Sequence, residues 1–280
     1  MSRKSRRNRT HDSRPAIAGG AAPISTPVTA PKPMRVDLVD AARGIAITMM
    51  IAYHFCFDLT YYQWADWPML DDPRWIAWRS AIVTCFLLLV GISLALRDAR
   101  ERGRGESRWF ARAFVLRWVQ IVAAASFVTA GSSLLFPQTF IYFGVLHFVA
   151  VALWICRRAP RRPWLAIVAG VIALAAGMTL AYPAFNPRYL DWIGFASEKP
   201  LTEDYVPLFP WLGVVLIGCG LGGFWTGRAA QSSSRADRIW QALPTQSKDI
   251  LALMGRWSLT IYLVHQPLLL GAMGAIRQLF

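Results

Sequence analysis

Acidic side chains are scarce in this chain of 280 residues: 16 Asp and Glu stand against 30 Lys and Arg, for a net charge of +14. Cysteine is scarcer still. Cys56, Cys85, Cys156 and Cys219 form no C-x-x-C pair, so neither a disulfide framework nor a zinc site is suggested, and they read as small packing residues. The four histidines show no H-x-x-H or H-E-x-x-H spacing, and no metal is expected. Also missing is any run that alternates apolar and polar residues as a half-buried strand does, and an open sheet could not cross lipid in any case.

What the chain has in quantity is apolar surface. Hydrophobic residues make up 55% and there are 13 Trp, a composition that a soluble domain with so few acids does not need. Seven segments can each hold about 20 apolar residues, enough to cross a bilayer. They are 41–61, 75–96, 113–134, 139–156, 163–182, 207–226 and 254–276. The fold expected is an all-α, polytopic membrane helix bundle of about seven transmembrane helices.

The positive charges orient it. Lys and Arg before the first span, and in the second, fourth and sixth connections, number 23; the opposite-side segments hold 5, namely Arg74, Arg79, Arg188, Lys199 and Arg277. Arg43 and Arg117 remain inside spans. This alternation follows the positive-inside rule and places the N-terminus in the cytoplasm and the C-terminus outside. Because the charge is spread over four separate inside segments, it is topological and calls for no nucleic acid. Residues 1–34, rich in Arg, Ser, Pro and Ala, read as a disordered basic cytoplasmic tail, and 35–280 as a single transmembrane domain. Arg6-Arg7 hints at a twin-arginine signal, but no apolar stretch of about 7–15 residues or A-x-A site follows at signal-peptide distance, so no cleavage is expected. Trp64, Trp67, Trp75 and Trp78, with Tyr61 and Tyr62, surround the first outer turn, where an interfacial aromatic belt belongs.

Gly218-Cys219-Gly220-Leu221-Gly222-Gly223 satisfies G-x-G-x-x-G in letters only. It lies within a span, without a preceding strand or a following acid, so close helix approach explains it better than a dinucleotide.

The chemistry is concentrated in the ionisable residues of the spans. The first span carries Arg43, His54 and Asp58. At about 100° per residue, Arg43 and His54 fall about 20° from the same face, and Asp58 lies one turn beyond. Such groups cost about 2.5–3.5 kcal/mol each at mid-bilayer on insertion scales, so they face a protein interior or a wet cavity. Asp58 can hold one nitrogen of His54 and leave the other basic, the arrangement general-base catalysis needs; interhelical hydrogen bonding is the plainer role. His147 and His265 are the further candidates, His147 mainly as a hydrogen-bond partner and His265 beside Gln266-Pro267, which suggest a locally opened backbone. Asp40 and Arg43 either form an i, i+3 pair or offer a guanidinium to a phosphate.

Five motifs carry a resemblance. They are Arg35-Val36-Asp37-Leu38-Val39-Asp40-Ala41-Ala42-Arg43-Gly44-Ile45-Ala46 with Met50 and His54, then Phe86 to Ser93, Gly144 to His147, Asp204 to Trp211, and Ser258 to Pro267. In this order the chain resembles the bacterial DUF1624 proteins, which are similar to the catalytic domain of heparan-α-glucosaminide N-acetyltransferase within a broader group of transmembrane acyltransferases. The R-x10-H spacing of Arg43 and His54 is similar to that of the acyltransferase-3 proteins, whose histidine is held to be essential. The lysosomal enzyme places its active histidine just after its first helix, whereas Tyr61 to Arg74 here contains none. The resemblance implies transfer of an acyl group, acetyl foremost, from cytoplasmic acyl-CoA to a hydroxyl or amine of an envelope saccharide or glycolipid, in a bacterial inner membrane. It makes His54, Asp58, His265 and His147 candidate catalytic residues, Arg43 and Asp40 candidates for holding the donor, and Asp204 and Trp211 candidates at the acceptor. Arg43 lies about 16 Å along the helix from His54, so a CoA phosphate at one would let the donor's arm reach the other. The competing class is a transporter or flippase of a small polar or lipid-linked solute using a His/Asp proton relay. No second copy of the R-x10-H helix exists in the latter half, whereas many transporters carry repeated halves.

Overall fold

Local signals account for where several helices begin. The computed structural model describes residues 34–103, 112–228, 242 and 244–279, so all but the last residue of the expected tail, and parts of two basic connections, lie outside the described residues. Among those described, eight α-helices form a helical membrane bundle: α1 Met34–Tyr61, α2 Pro73–Gly103, α3 Arg112–Leu135, α4 Val145–Ile155, α5 Pro163–Thr179, α6 Leu208–Arg228, α7 Thr245–Arg256 and α8 Ser258–Leu279. α2 opens on Pro73, with the Asp72 carboxylate accepting the Arg74 N–H at 2.7 Å, and α5 opens on Pro163. Proline suits a first helical position because its missing N–H would be unpaired there anyway.

Five helices are long and apolar enough to cross a membrane: α1, α2, α3, α6 and α8. The other two expected spans are shorter. α5 has 17 residues and α4 only 11, about 16 Å against the ~30 Å hydrocarbon core. The fourth span therefore starts at Val145 and not at residue 139. Residues 139–144 are apolar enough to be helical, but their carbonyls are taken by outside donors. The Thr139 carbonyl accepts the Glu203 N–H (2.9 Å), that of Phe140 the Thr202 hydroxyl (2.9 Å), and that of Ile141 the Thr129 hydroxyl (2.8 Å). The last expected span likewise divides, with Trp257 separating α7 from α8.

α5 packs on α6, α6 on α2, and α2 on α1, which in turn meets α7 and α8; α4 touches α2 and α6 and carries α3 on its other side. Small residues set these crossings. A Cβ on Gly91 would fall 2.2 Å from the Val215 carbonyl oxygen, and one on Gly218 would fall 2.4 Å from that of Leu88, so α2 and α6 meet backbone to backbone. The G-x-G-x-x-G letters thus belong to a helix crossing. At the arginine-rich end, buried Asp98 binds Arg161 (2.9 Å) and Arg102 (3.0 Å), and the Arg157 guanidinium lies 4.0 Å over the Phe114 ring. At the opposite end, the Tyr142 hydroxyl donates to buried Asp191, the Tyr205 hydroxyl donates to the Asp191 carbonyl, and Arg188 lies 5.3 Å over the Phe140 ring. The α2–α3 and α4–α5 connections thus share one end, and the α3–α4 and α5–α6 connections the other, in the alternation the charges require.

Candidate functional site

The ionisable stripe of α1 meets α8. The His54 and His265 rings lie 5.0 Å apart between centroids, inclined at 64°. One turn along, the Gln266 amide donates to Asp58 Oδ1 at 2.8 Å. Asp58 is fully buried. The hydrogen bond expected between Asp58 and His54 is replaced by this one, because the facing helix supplies a committed amide donor. Gln266 belongs to the Ser258–Pro267 motif, but no local pattern says which facing residue it will meet.

His265 Nδ1 faces the carbonyls of Tyr262 (2.7 Å) and Ile261 (3.2 Å). A ring nitrogen that faces only acceptors carries the proton, so Nε2 is the basic nitrogen of neutral His265. That Nε2, His54 Nδ1, Asp58 Oδ2 and Gln266 Oε1 are buried and have no protein hydrogen-bond partner among the described residues. Leaving a buried polar group unpaired costs about 1–3 kcal/mol, so four such atoms on two adjoining turns mark a place built to receive a polar group. Pro267, inside α8, also removes the N–H that would bond the Leu263 carbonyl.

The other candidates are deployed elsewhere. His147 Nδ1 accepts the Gly144 N–H at 3.3 Å and its Nε2 lies 3.1 Å from the Thr129 hydroxyl, so both nitrogens serve the start of α4. Asp204 accepts the Val145 N–H (2.9 Å) and faces the Tyr262 hydroxyl at 3.4 Å, one turn of α8 before Gln266. Burial raises the Asp204 carboxyl above the ordinary carboxylate range, opposed by those two hydrogen bonds and by the charge of Arg79. Trp211 packs against the hydrophobic core. Arg43 binds Asp40 at 2.6 Å and also donates to the Ser93 hydroxyl of α2. Ser93 closes the second sequence motif, and Tyr262 stands within the fifth; neither was marked by charge, and only the fold brings them to these positions.

The sequence matches the heparan-alpha-glucosaminide N-acetyltransferase catalytic family over residues 35–267. The chain belongs to that family. No curated protein and no solved structure matched it. This heparan-alpha-glucosaminide N-acetyltransferase catalytic-family chain therefore sits within a family of membrane acetyltransferases, and the matched span takes in the α1 stripe and ends at Pro267, one residue past Gln266.

Proposed function

We propose that the protein moves an acyl group, acetyl foremost, from cytoplasmic acyl-CoA to a hydroxyl or amine of an envelope saccharide or glycolipid, across a bacterial inner membrane. The arginine-rich end then faces the cytoplasm. The observation that carries this reading is the set of unpartnered polar atoms on His54, Asp58, His265 and Gln266. An acceptor hydroxyl or amine must lose a proton as it attacks the thioester carbonyl, and near-neutral imidazole suits that task. Either His54, through Nδ1, or His265, through Nε2, can take the proton. As the tetrahedral intermediate collapses, the carbon–sulfur bond breaks and the thiolate leaves, receiving the proton from the imidazolium. Asp58 is held by Gln266 and contributes its second oxygen to the same polar face.

Two faces of the membrane have to be served, since acyl-CoA does not cross lipid and the acceptor lies outside. Arg43 stands near the basic end and the histidine pair farther along the same helix, which suits a donor entering from that end. The test is incubation of purified protein with radiolabelled acetyl-CoA, with and without an envelope glycan extract. Label that enters glycan with the wild-type protein and not with His54→Ala or His265→Ala supports the reading. Absence of transfer by the folded wild type with any envelope fraction would remove it.

A further inference from the structure

α3 rests on α4 and α8 on α1, and between α3 and α8 a cleft of about 510 Å³ remains. At its basic end stand Arg117 of α3 and Arg256, the last residue of α7. Arg256 Nε donates to the Ala252 carbonyl at 3.2 Å, and Arg117 reaches no closer than 3.4 Å to Gln120. Neither guanidinium is ion-paired among the described residues, and Arg43 lies within electrostatic reach of Arg117. Two guanidiniums thus line one end of a single cleft, an arrangement complementary to phosphate.

The cleft also has a direction. From Arg117 to Phe127 its α3 wall extends about 15 Å at 1.5 Å per residue. On α8, Leu259 and Leu263 line it, and Gln266 continues their stripe at i+7. Gln266 is the residue bonded to Asp58 beside the histidine pair. The α8 lining thus ends at Leu263, one turn short of Gln266 on the same stripe. One turn beyond the arginines the cleft passes Thr260, a polar side chain that an arm containing amides would pair.

We propose that this cleft is the donor's channel: Arg117 and Arg256 hold the phosphates of acyl-CoA, and its pantetheine arm lies along Leu259 and Leu263 with the thioester delivered at Gln266. This rests on the acyl-CoA reading above and adds two donor-binding residues to it.

The test uses the full-length protein in phosphatidylcholine nanodiscs, with CoA and pantetheine as calorimetric probes. Arg117→Gln and Arg256→Gln are each expected to weaken CoA binding by about 10- to 100-fold, the loss of a charge-assisted contact, and to leave pantetheine affinity unchanged. Arg117→Lys and Arg256→Lys, which keep the charge, should fall between, and this separates phosphate binding from a folding defect. Leu263→Trp, which fills the stripe, should weaken both probes. Wild-type affinity for CoA in both Gln variants overturns the channel and leaves the donor reading intact. No CoA binding by the wild type overturns both. If the Gln variants lose only a stabilisation conferred by added phosphatidylglycerol, the arginines serve an anionic lipid and the channel assignment is wrong.

Discussion

Replacing Gln266 by leucine tests the contact that joins α1 to α8 across the site. The Gln266 amide is the hydrogen-bond donor to fully buried Asp58, at 2.8 Å, and Gln266 Oε1 has no protein partner among the described residues to lose. Removing the donor leaves a carboxyl oxygen without a partner inside the bundle. That costs about 1–3 kcal/mol, and more when the group is ionised, or roughly 5- to 150-fold in the unfolding equilibrium. Asp58→Leu alone should cost a similar amount, because it strands the amide instead. The double variant removes both polar partners and replaces them with apolar groups, a change that is close to neutral. The double variant should therefore unfold later than either single one, with a coupling energy of about 2 kcal/mol or more. Thermal unfolding in nanodiscs measures this, and labelled-acetyl transfer on the same samples should show the stable double variant inactive. A double variant whose loss equals the sum of the two single losses would refute the pairing and the geometry drawn from it.

The histidines should divide by role: His54→Ala and His265→Ala should each lose about 10²–10⁴ in transfer rate at normal expression. His147→Ala should lose about 1–2 kcal/mol of stability in the same unfolding assay while retaining far more of its rate, since its nitrogens serve α4. Reporter fusions after Arg104 and after Glu198 should report the cytoplasm and the exterior respectively, and the same side for both would refute the orientation. Because burial raises the Asp204 carboxyl, the folded state holds its proton to higher pH than the unfolded state does, and stability falls as pH rises through the folded pKa. Lowering the pH from neutral toward the ordinary carboxylate range should thus raise the melting temperature of the wild type more than that of Asp204→Asn; parallel curves would show that Asp204 does not contribute.

Much of this arrangement is written in local composition. Arg43, His54 and Asp58 share a helical face because the helical period puts them there, and Gly218 reads as a helix crossing from its surroundings alone. The partners are a different matter. That Asp58 would take Gln266 in preference to His54 depends on how α8 is rotated against α1, and Gln266 is one polar residue in a motif of ten. Likewise residues 139–144 carry enough apolar character for a helix. Only their distant donors, Thr129, Thr202 and Glu203, show why the helix starts later. Arg117 shows the same limit: within a span it reads as an isolated charge, and its meaning comes from Arg256, 139 positions away on the other wall of the cleft.

The brevity of α4 has an electrical consequence. A voltage across a membrane falls mainly over the low-dielectric part of the path, and one elementary charge crossing all of it changes energy by about 2.3 kcal/mol per 100 mV. α4 supplies only about 16 Å of helix, and the residues before it, 139–144, are tied by hydrogen bonds to Thr202 and Glu203. Where polar groups take the place of hydrocarbon depth, the field is steeper over what remains. Through Asp204 and Tyr262, the start of α4 adjoins the helix that carries His265. In the reaction proposed above, a proton leaving an acceptor there moves in this field, so the energised membrane itself becomes a term in the energetics of deprotonation.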